Sequence, residues 1–120
     1  MELTFYDQHG APYCCSEDGE YLYSFDGEPL GYLLDDSVYG FNGRHLGWFM
    51  NGWIYDSAGR NLLFTDGATG GPGQPGKQGR PGKAGKAGKP GRAGRQGKPG
   101  RPALGTGWSP VPPAGVFDAG

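Results

Sequence analysis

The sequence has few of the residues on which metal sites and disulfide-stabilised folds depend. Only two cysteines and two histidines occur among its 120 residues. The cysteines, Cys14 and Cys15, are adjacent, and adjacent cysteines rarely bond to each other, so no disulfide framework is predicted. No C-x-x-C or H-x-x-x-H spacing occurs, which argues against a zinc site. We therefore expect neither a metal nor a cofactor.

Long hydrophobic runs are missing as well. No apolar stretch approaches the roughly 18 residues that a membrane-spanning helix needs, so no transmembrane segment is predicted. The first residues carry neither the basic region nor the apolar core of a secretory signal. These absences predict a cytoplasmic protein, with peripheral attachment to a membrane as the alternative.

Residue patterns typical of catalysis are absent too. His9 lies in a predicted turn and His45 follows one, and neither is at a spacing that would activate a cysteine as a nucleophile. The acidic residues fall at turns, where solvated charges are common, and they form no pair that suggests general acid–base chemistry. The sequence therefore predicts a protein that is not an enzyme.

Charge and composition divide the chain into three parts. Residues 1–68 contain 11 Asp and Glu against Arg44 and Arg60, a net charge of −9. Residues 69–102 contain nine Lys and Arg and no acid, a net charge of +9. Such asymmetry indicates that the basic part has an acidic partner, which is either another molecule or the acidic part of the same chain. We expect a domain at 1–68, a cationic low-complexity linker at 69–102 and a short apolar motif at 103–120.

The acidic part is an internal repeat of four units. Each unit opens with an apolar residue and a tyrosine, and a glycine follows the tyrosine by four positions. An x-Gly pair between two short aromatic-rich runs is typical of a β-hairpin with a two-residue type I′ turn. The units are 16 or 17 residues apart, with tyrosines Tyr6, Tyr23, Tyr39 and Tyr55 and turn glycines Gly10, Gly27, Gly43 and Gly59.

Four hairpins of this kind predict an all-β fold. A single hairpin is barely stable in water, whereas four related hairpins bury one face each and remove their exposed edges if they close in a ring. The repeated pattern, [LVI]-Y-x-x-[DNA]-G-x-x-L-[GL]-[YWF], resembles that of the four-fold β-flower domain, a small bacterial all-β domain, over residues 3–67. The resemblance implies eight strands in a pseudo-symmetric flower or barrel, and it implies no particular chemistry.

The four equivalent tyrosines have two interpretations. If they ring the symmetry axis, Tyr6, Tyr23, Tyr39 and Tyr55 line a shallow pocket. A repeated aromatic column is more often part of the core, and we favour that interpretation.

The basic part has glycine at every third position from Gly67 to Gly100, the pattern of collagen. Three aligned chains would stack their positive charges with no acid to pair, so we expect a disordered or polyproline-like tail on a monomer rather than a trimeric stalk. Regular cations are also typical of polyanion binding, including nucleic acid and anionic lipid. The candidate polyanion contacts are Lys77, Arg80, Lys83, Lys86, Lys89, Arg92, Arg95, Lys98 and Arg101.

The C-terminal part contains an isolated Trp108, which predicts either an anchor for a partner or a segment that folds back on the acidic domain. The leading hypothesis for function is a non-enzymatic binding or adaptor module, tethered by its basic tail and directed to an unidentified protein or lipid partner. The alternatives are a structural protein trimerised through the collagen-like stalk and a non-specific polyanion binder.

Overall fold

The structure, a computed structural model, describes residues 2–105 and 107–118. Eight antiparallel strands follow one another around a closed barrel, and pairing of Tyr6 with Phe64 joins the last strand to the first. This confirms the predicted all-β fold of four hairpins. The strands are β1 (Leu3–Tyr6), β2 (Pro12–Ser16), β3 (Tyr21–Ser24), β4 (Pro29–Leu34), β5 (Ser37–Tyr39), β6 (His45–Met50), β7 (Trp53–Asp56) and β8 (Asn61–Phe64), and α1 (Pro113–Phe117) follows them.

The four hairpin turns differ from the predicted turn type. In the first, the Gly10 amide donates to the Asp7 carbonyl and the Asp7 amide donates to the Ala11 carbonyl, which closes a three-residue loop. Gly10 has φ +79°, and His9 before it does not have positive φ. This is a type I turn followed by a glycine bulge, and it needs only one left-handed residue rather than the two of type I′. The same bonds recur in the other three hairpins.

Type I′ geometry is found instead at the opposite end of the barrel. There Asn51 and Gly52, which connect β6 to β7, have φ +57° and +80°. Both central residues of the turn are left-handed, as type I′ requires. The antiparallel order places the four glycine turns at one end of the barrel, the turn end, and the other three connections at the opposite end.

Apolar side chains from successive strands fill the inside of the barrel. Phe5, Leu22, Val38 and Ile54 occupy equivalent places and are almost fully buried in one cluster with Leu33 and Leu63. The C-terminal helix completes this cluster at the turn end, because the buried Phe117 ring stacks on Tyr13 with centroids 5.9 Å apart.

The four repeat tyrosines are buried on the outside of the barrel. Neighbouring residues of a strand point to opposite faces. Phe5 lies in the inner cluster, whereas Tyr6 belongs to a second cluster with Trp48, Trp53 and Phe64. The four tyrosines are only 3–6% exposed. Cations of the basic part cover Tyr6, Tyr23 and Tyr39, and Leu104 packs against the cluster that contains Tyr55.

Residues 73–105, which we call the belt, run around the outside of the barrel. The belt contains no helix or strand, and its amides donate to carbonyls of the hairpins. The molecule measures 37 × 36 × 24 Å, so its rim is roughly 115 Å long. An extended chain of this length spans roughly 100 Å at about 3.1 Å per residue. The belt is therefore long enough to encircle the barrel almost once.

Glycines of the belt and glycines of the turns have different surroundings. A Cβ added to Gly88, or to any other belt glycine from Gly73 to Gly100, meets no atom within 4 Å. A Cβ added to Gly27 collides with the carbonyl oxygen of Gly85, and Gly27 has φ +87°. The close approach of belt and barrel therefore depends on the turn glycines.

These surroundings predict opposite effects for two alanine substitutions. Gly27→Ala lowers the free energy of unfolding by at least about 1 kcal/mol, because an L residue is strained at this φ and its Cβ displaces the belt. Gly88→Ala changes it by less than about 1 kcal/mol, because an alanine fits and loses less chain entropy. Urea unfolding measures both. A strong loss for Gly88→Ala would contradict the belt and favour a triple helix, where every glycine is needed.

Candidate functional site

The belt follows the four-fold repeat of the barrel with a repeat of nine residues. The amides of Gln78, Ala87, Gln96 and Gly105 donate to the carbonyls of the four turn glycines at 2.7–2.9 Å. The acceptors are Gly10, Gly27, Gly43 and Gly59 in the same order. Each hairpin of the barrel therefore corresponds to nine residues of the belt, which are three Gly-X-Y triplets.

At the third position of the Gly-X-Y triplets, proline occurs where no belt amide donates a hydrogen bond to the barrel. Ala84 and Ala93 donate to the carbonyls of Phe25 and Phe41, both at 2.9 Å. With the four amides above, every non-proline third position from Gln78 to Gly105 donates to the barrel. Since proline has no amide hydrogen, the alternation of proline with alanine or glutamine places donors where the hairpins offer acceptors.

The cations of the belt pack on the outer tyrosines of the barrel. Lys77 lies over the Tyr6 ring at 5.8 Å from its centroid, and Lys86 lies over Tyr23 at 5.1 Å. Arg95 occupies the same place over Tyr39 at 6.0 Å. Nine residues further on, Leu104 packs against the cluster that contains Tyr55. Cation–π contacts of this kind contribute about 0.5–1 kcal/mol each at exposed sites.

Seven belt cations also pair with acidic residues of the barrel. Surface pairs contribute only about 0–1 kcal/mol each, so these pairs favour the position of the belt without being its main support. Arg80 has no carboxylate partner and donates to the Thr4 hydroxyl at 3.3 Å. The pairs are Lys77–Asp66, Lys83–Glu2 (2.7 Å), Lys86–Glu17, Lys89–Asp18 (3.9 Å), Arg92–Glu20, Lys98–Asp36 (2.5 Å) and Arg101–Asp36 (3.5 Å).

The ion pairs change the pKa values of their members. The hydrogen bond from Lys83 lowers the pKa of the Glu2 carboxyl below its usual value of 4.5, and the bond from Lys86 lowers the pKa of Glu17 likewise. Lys98 lowers the pKa of Asp36. The same bonds raise the pKa of Lys83 and Lys86. Both members of the Lys83–Glu2 and Lys86–Glu17 pairs therefore stay charged across neutral pH.

The C-terminal part folds back on β8. Trp108 lies against Trp53 and Phe64, with ring centroids 5.4 and 6.1 Å away. The Asn61 amide donates to the Gly107 carbonyl, and the Ser109 amide donates to the Asn61 carbonyl. In this structure Trp108 thus contacts the chain's own barrel.

The cysteines and histidines do not form a reactive group. Burial raises the pKa of both thiols, most strongly at Cys14, which therefore stays protonated at neutral pH. The His45 ring bonds to the Ser37 hydroxyl at 3.0 Å, and burial lowers its pKa. Within residues 2–105 and 107–118, no three His, Cys, Asp or Glu side chains are grouped as metal ligands.

A cavity lies at the turn end, between the third and fourth hairpins. Its volume is about 490 Å³. The belt supplies Gln96, Pro99 and Gly100, and the C-terminal part supplies Val111 and Val116. The cavity therefore requires all three parts of the chain. The barrel contributes Arg44, His45, Leu46, Trp48, Asp56, Ser57, Ala58 and Arg60.

Three side chains that line this cavity, those of two arginines and one valine, are exposed to solvent. Arg44 and Arg60 are exposed, and neither side chain forms an ion pair with a carboxylate in the described ranges. Val111 is 42% exposed, the one large hydrophobic residue so exposed in the described part of the chain. Asp56 is occupied, because its carboxylate accepts from two turn amides and from the Ser109 hydroxyl.

A closed, four-fold barrel of hairpins defines the class of the protein. The family model of the 4-fold beta flower protein matches residues 3–116, and the chain belongs to that family. The match includes the belt and most of the C-terminal part as well as the barrel. No curated protein and no solved structure matches the chain.

The cavity and the route of the belt go beyond what the sequence alone predicts. In the sequence Arg44 and Arg60 enter only the charge balance, although both directly follow a turn glycine. The route of the belt had a clearer signal, because Pro72, Pro81, Pro90 and Pro99 recur every nine residues, four times as the hairpins do.

Removal of one belt amide tests this arrangement. Ala87→Pro removes the bond to Gly27 and leaves a carbonyl unpaired, so we expect a loss of about 1 kcal/mol in the free energy of unfolding. Pro90→Ala is the control and changes stability by less, because position 90 donates no such bond. Urea unfolding compares the two. Equal stability of Ala87→Pro and wild type would show that the belt amides contribute nothing.

The ion pairs predict a loss of stability in acid. The pKa values of Glu2, Glu17 and Asp36 are lower in the folded than in the unfolded state. Their stabilisation is therefore complete above the unfolded pKa, near 4.5 for the two glutamates and near 3.8 for Asp36, and is lost as pH falls through the folded pKa. Thermal unfolding from pH 7 to pH 3 should show this fall, and a Glu2→Gln/Glu17→Gln variant should show a smaller one. A fall of the same size in the variant would contradict the assignment.

Proposed function

We propose that the protein is a non-enzymatic binding domain whose ligand site is the cavity between the third and fourth hairpins. The observation that supports this most is that two arginines without an ion-pair partner in the described residues line one cavity together with an exposed valine. Ligand sites are usually concave and largely apolar, with a few converging polar groups. This cavity combines charged and polar side chains with apolar ones, and its volume of about 490 Å³ suits a small molecule.

We propose no catalytic role for this cavity, because the polar groups that could act as a base are already hydrogen-bonded within the protein. His45 is bonded to Ser37, and Asp56 is bonded to Ser109 and two amides. The Ser37 and Ser109 hydroxyls that these groups contact are buried and do not line the cavity. Neither hydroxyl can therefore meet a bound molecule as the nucleophile that acyl- or group-transfer chemistry would need. Binding requires only the arginines and the apolar wall.

The proposal also gives the basic part a role within the domain. Seven of its nine cations pair with barrel carboxylates. Those cations are less available to nucleic acid or anionic lipid than a free tail would be. In the described part of the chain, no helix has the length and apolar character that crossing a membrane would need. We therefore favour a belt that builds the cavity over a tail that tethers the domain.

A fragment screen by two-dimensional amide NMR tests the proposed function. Neutral, anionic and cationic fragments are added to the full chain. We expect at least one group of fragments to shift the amides of residues 44–46 and 57–60. Amides near the smaller cavity beside Cys15, Tyr23 and Lys86, of about 290 Å³, serve as the internal control. Shifts confined to that smaller cavity, or to no region, would contradict the proposal.

A further inference from the structure

We propose that the cavity binds an amphiphilic anion, a small molecule with a carboxylate or phosphate monoester group beside an apolar body. This inference rests on the proposed function and adds the chemistry of the ligand. It follows from three independent features of the cavity: its arginines, its apolar wall and its size.

The two arginines are specific to this side of the barrel. The position after the turn glycine is Ala11 in the first hairpin and Glu28 in the second, whereas it is Arg44 and Arg60 in the third and fourth. Because the same turn forms with alanine or glutamate, the fold does not require a cation there. The two arginines also lie in consecutive hairpins, which brings both to one cavity.

Arg44 and Arg60 are available to an anion. The barrel carries no other Lys or Arg, and most belt cations pair with carboxylates elsewhere. The guanidinium group presents paired donors that match a carboxylate or a phosphate. The one carboxylate of the cavity lining, Asp56, already accepts three hydrogen bonds. An incoming anion would therefore meet two free guanidinium groups.

Part of the cavity lining is apolar. Val111, Val116 and Pro99 line it together with Leu46. Val111 is exposed although large hydrophobic side chains are otherwise covered in the described residues. A ligand body that covered Val111 would bury apolar surface, which is favourable at about 25 cal/mol per Å². An inorganic anion would satisfy the arginines and leave this wall in water.

The size of the cavity sets an upper limit on the ligand. A volume of about 490 Å³ falls within the range of small-molecule sites, roughly 300–1,000 Å³. One medium-length acyl chain with its charged group fits such a volume, whereas a bilayer surface or a folded protein does not enter it.

Titration with matched ten-carbon probes tests the inference. Decanoate and decyl phosphate are the anions, decanol is the neutral match and decyltrimethylammonium is the cationic match. Each is added to the full chain below its micelle-forming concentration, and the amide shifts of residues 44–46 and 57–60 give the Kd. We expect both anions to bind at least about tenfold more tightly than decanol and the cation not to bind, since a charged hydrogen bond contributes about one factor of ten or more.

Substitutions assign the binding to the arginines. Arg44→Gln and Arg60→Gln should each weaken decanoate and decyl phosphate about tenfold and leave decanol unchanged. Arg80→Gln is the matched control, because Arg80 is also exposed and has no carboxylate partner but lies outside the cavity. All three variants should keep the thermal stability of the wild type. The ratio of the two anions' Kd values identifies the preferred head group.

Three results would overturn the inference. Equal binding of decanol and decanoate would show a site without preference for anions, and the proposed function would still stand. An equal effect of Arg80→Gln would indicate binding by general charge rather than by the cavity. Inorganic phosphate as tight as decyl phosphate would show that the apolar wall contributes nothing. Failure of the proposed function itself is distinct, since then no fragment of any charge would shift the cavity amides.

Discussion

The approach of the belt backbone to the four turn glycines is the contact on which the rest of the structure depends. Only glycine tolerates both the left-handed φ and the carbonyl that lies where a Cβ would be. This approach allows the belt amides to reach the turn carbonyls, and it places the cations over the outer tyrosines. It also positions Gln96 and Pro99, so the candidate cavity exists only when the belt is closed.

The barrel was predictable from local patterns in the sequence, whereas the individual contacts of the belt were not. The spacing of Tyr6 and Gly10, repeated four times, indicates hairpins because strand alternation and turn glycines are local properties. The predicted turn type was wrong because the same x-Gly pair fits both a type I′ turn and a type I turn with a glycine bulge. The hydrogen bonds around Asp7 distinguish the two. The belt depends on contacts between residues about 50 to 70 positions apart, such as Gln96 with Gly43, for which no local rule exists.

The sequence contains clearer signals for the belt than for the cavity. The opposite charges of the two parts and the nine-residue repeat of prolines were visible in the sequence, and together they indicate a tail matched to a four-fold partner in the same chain. Arg44 and Arg60 gave no such signal, because exposed arginines after turns are common. Their interest arises only from the fold, which brings Val111 to the same cavity and leaves neither arginine in an ion pair within the described residues.

Amide hydrogen exchange of the full chain tests the closed belt most directly. The account predicts slowed exchange at six belt amides, those of Gln78, Ala84, Ala87, Ala93, Gln96 and Gly105, because each donates to the barrel. Lys and Arg amides between them, which form no such bond to the hairpins, should exchange much faster. Exchange at the rate of an unfolded chain throughout residues 73–105 would contradict the belt, and with it the cavity that the belt completes.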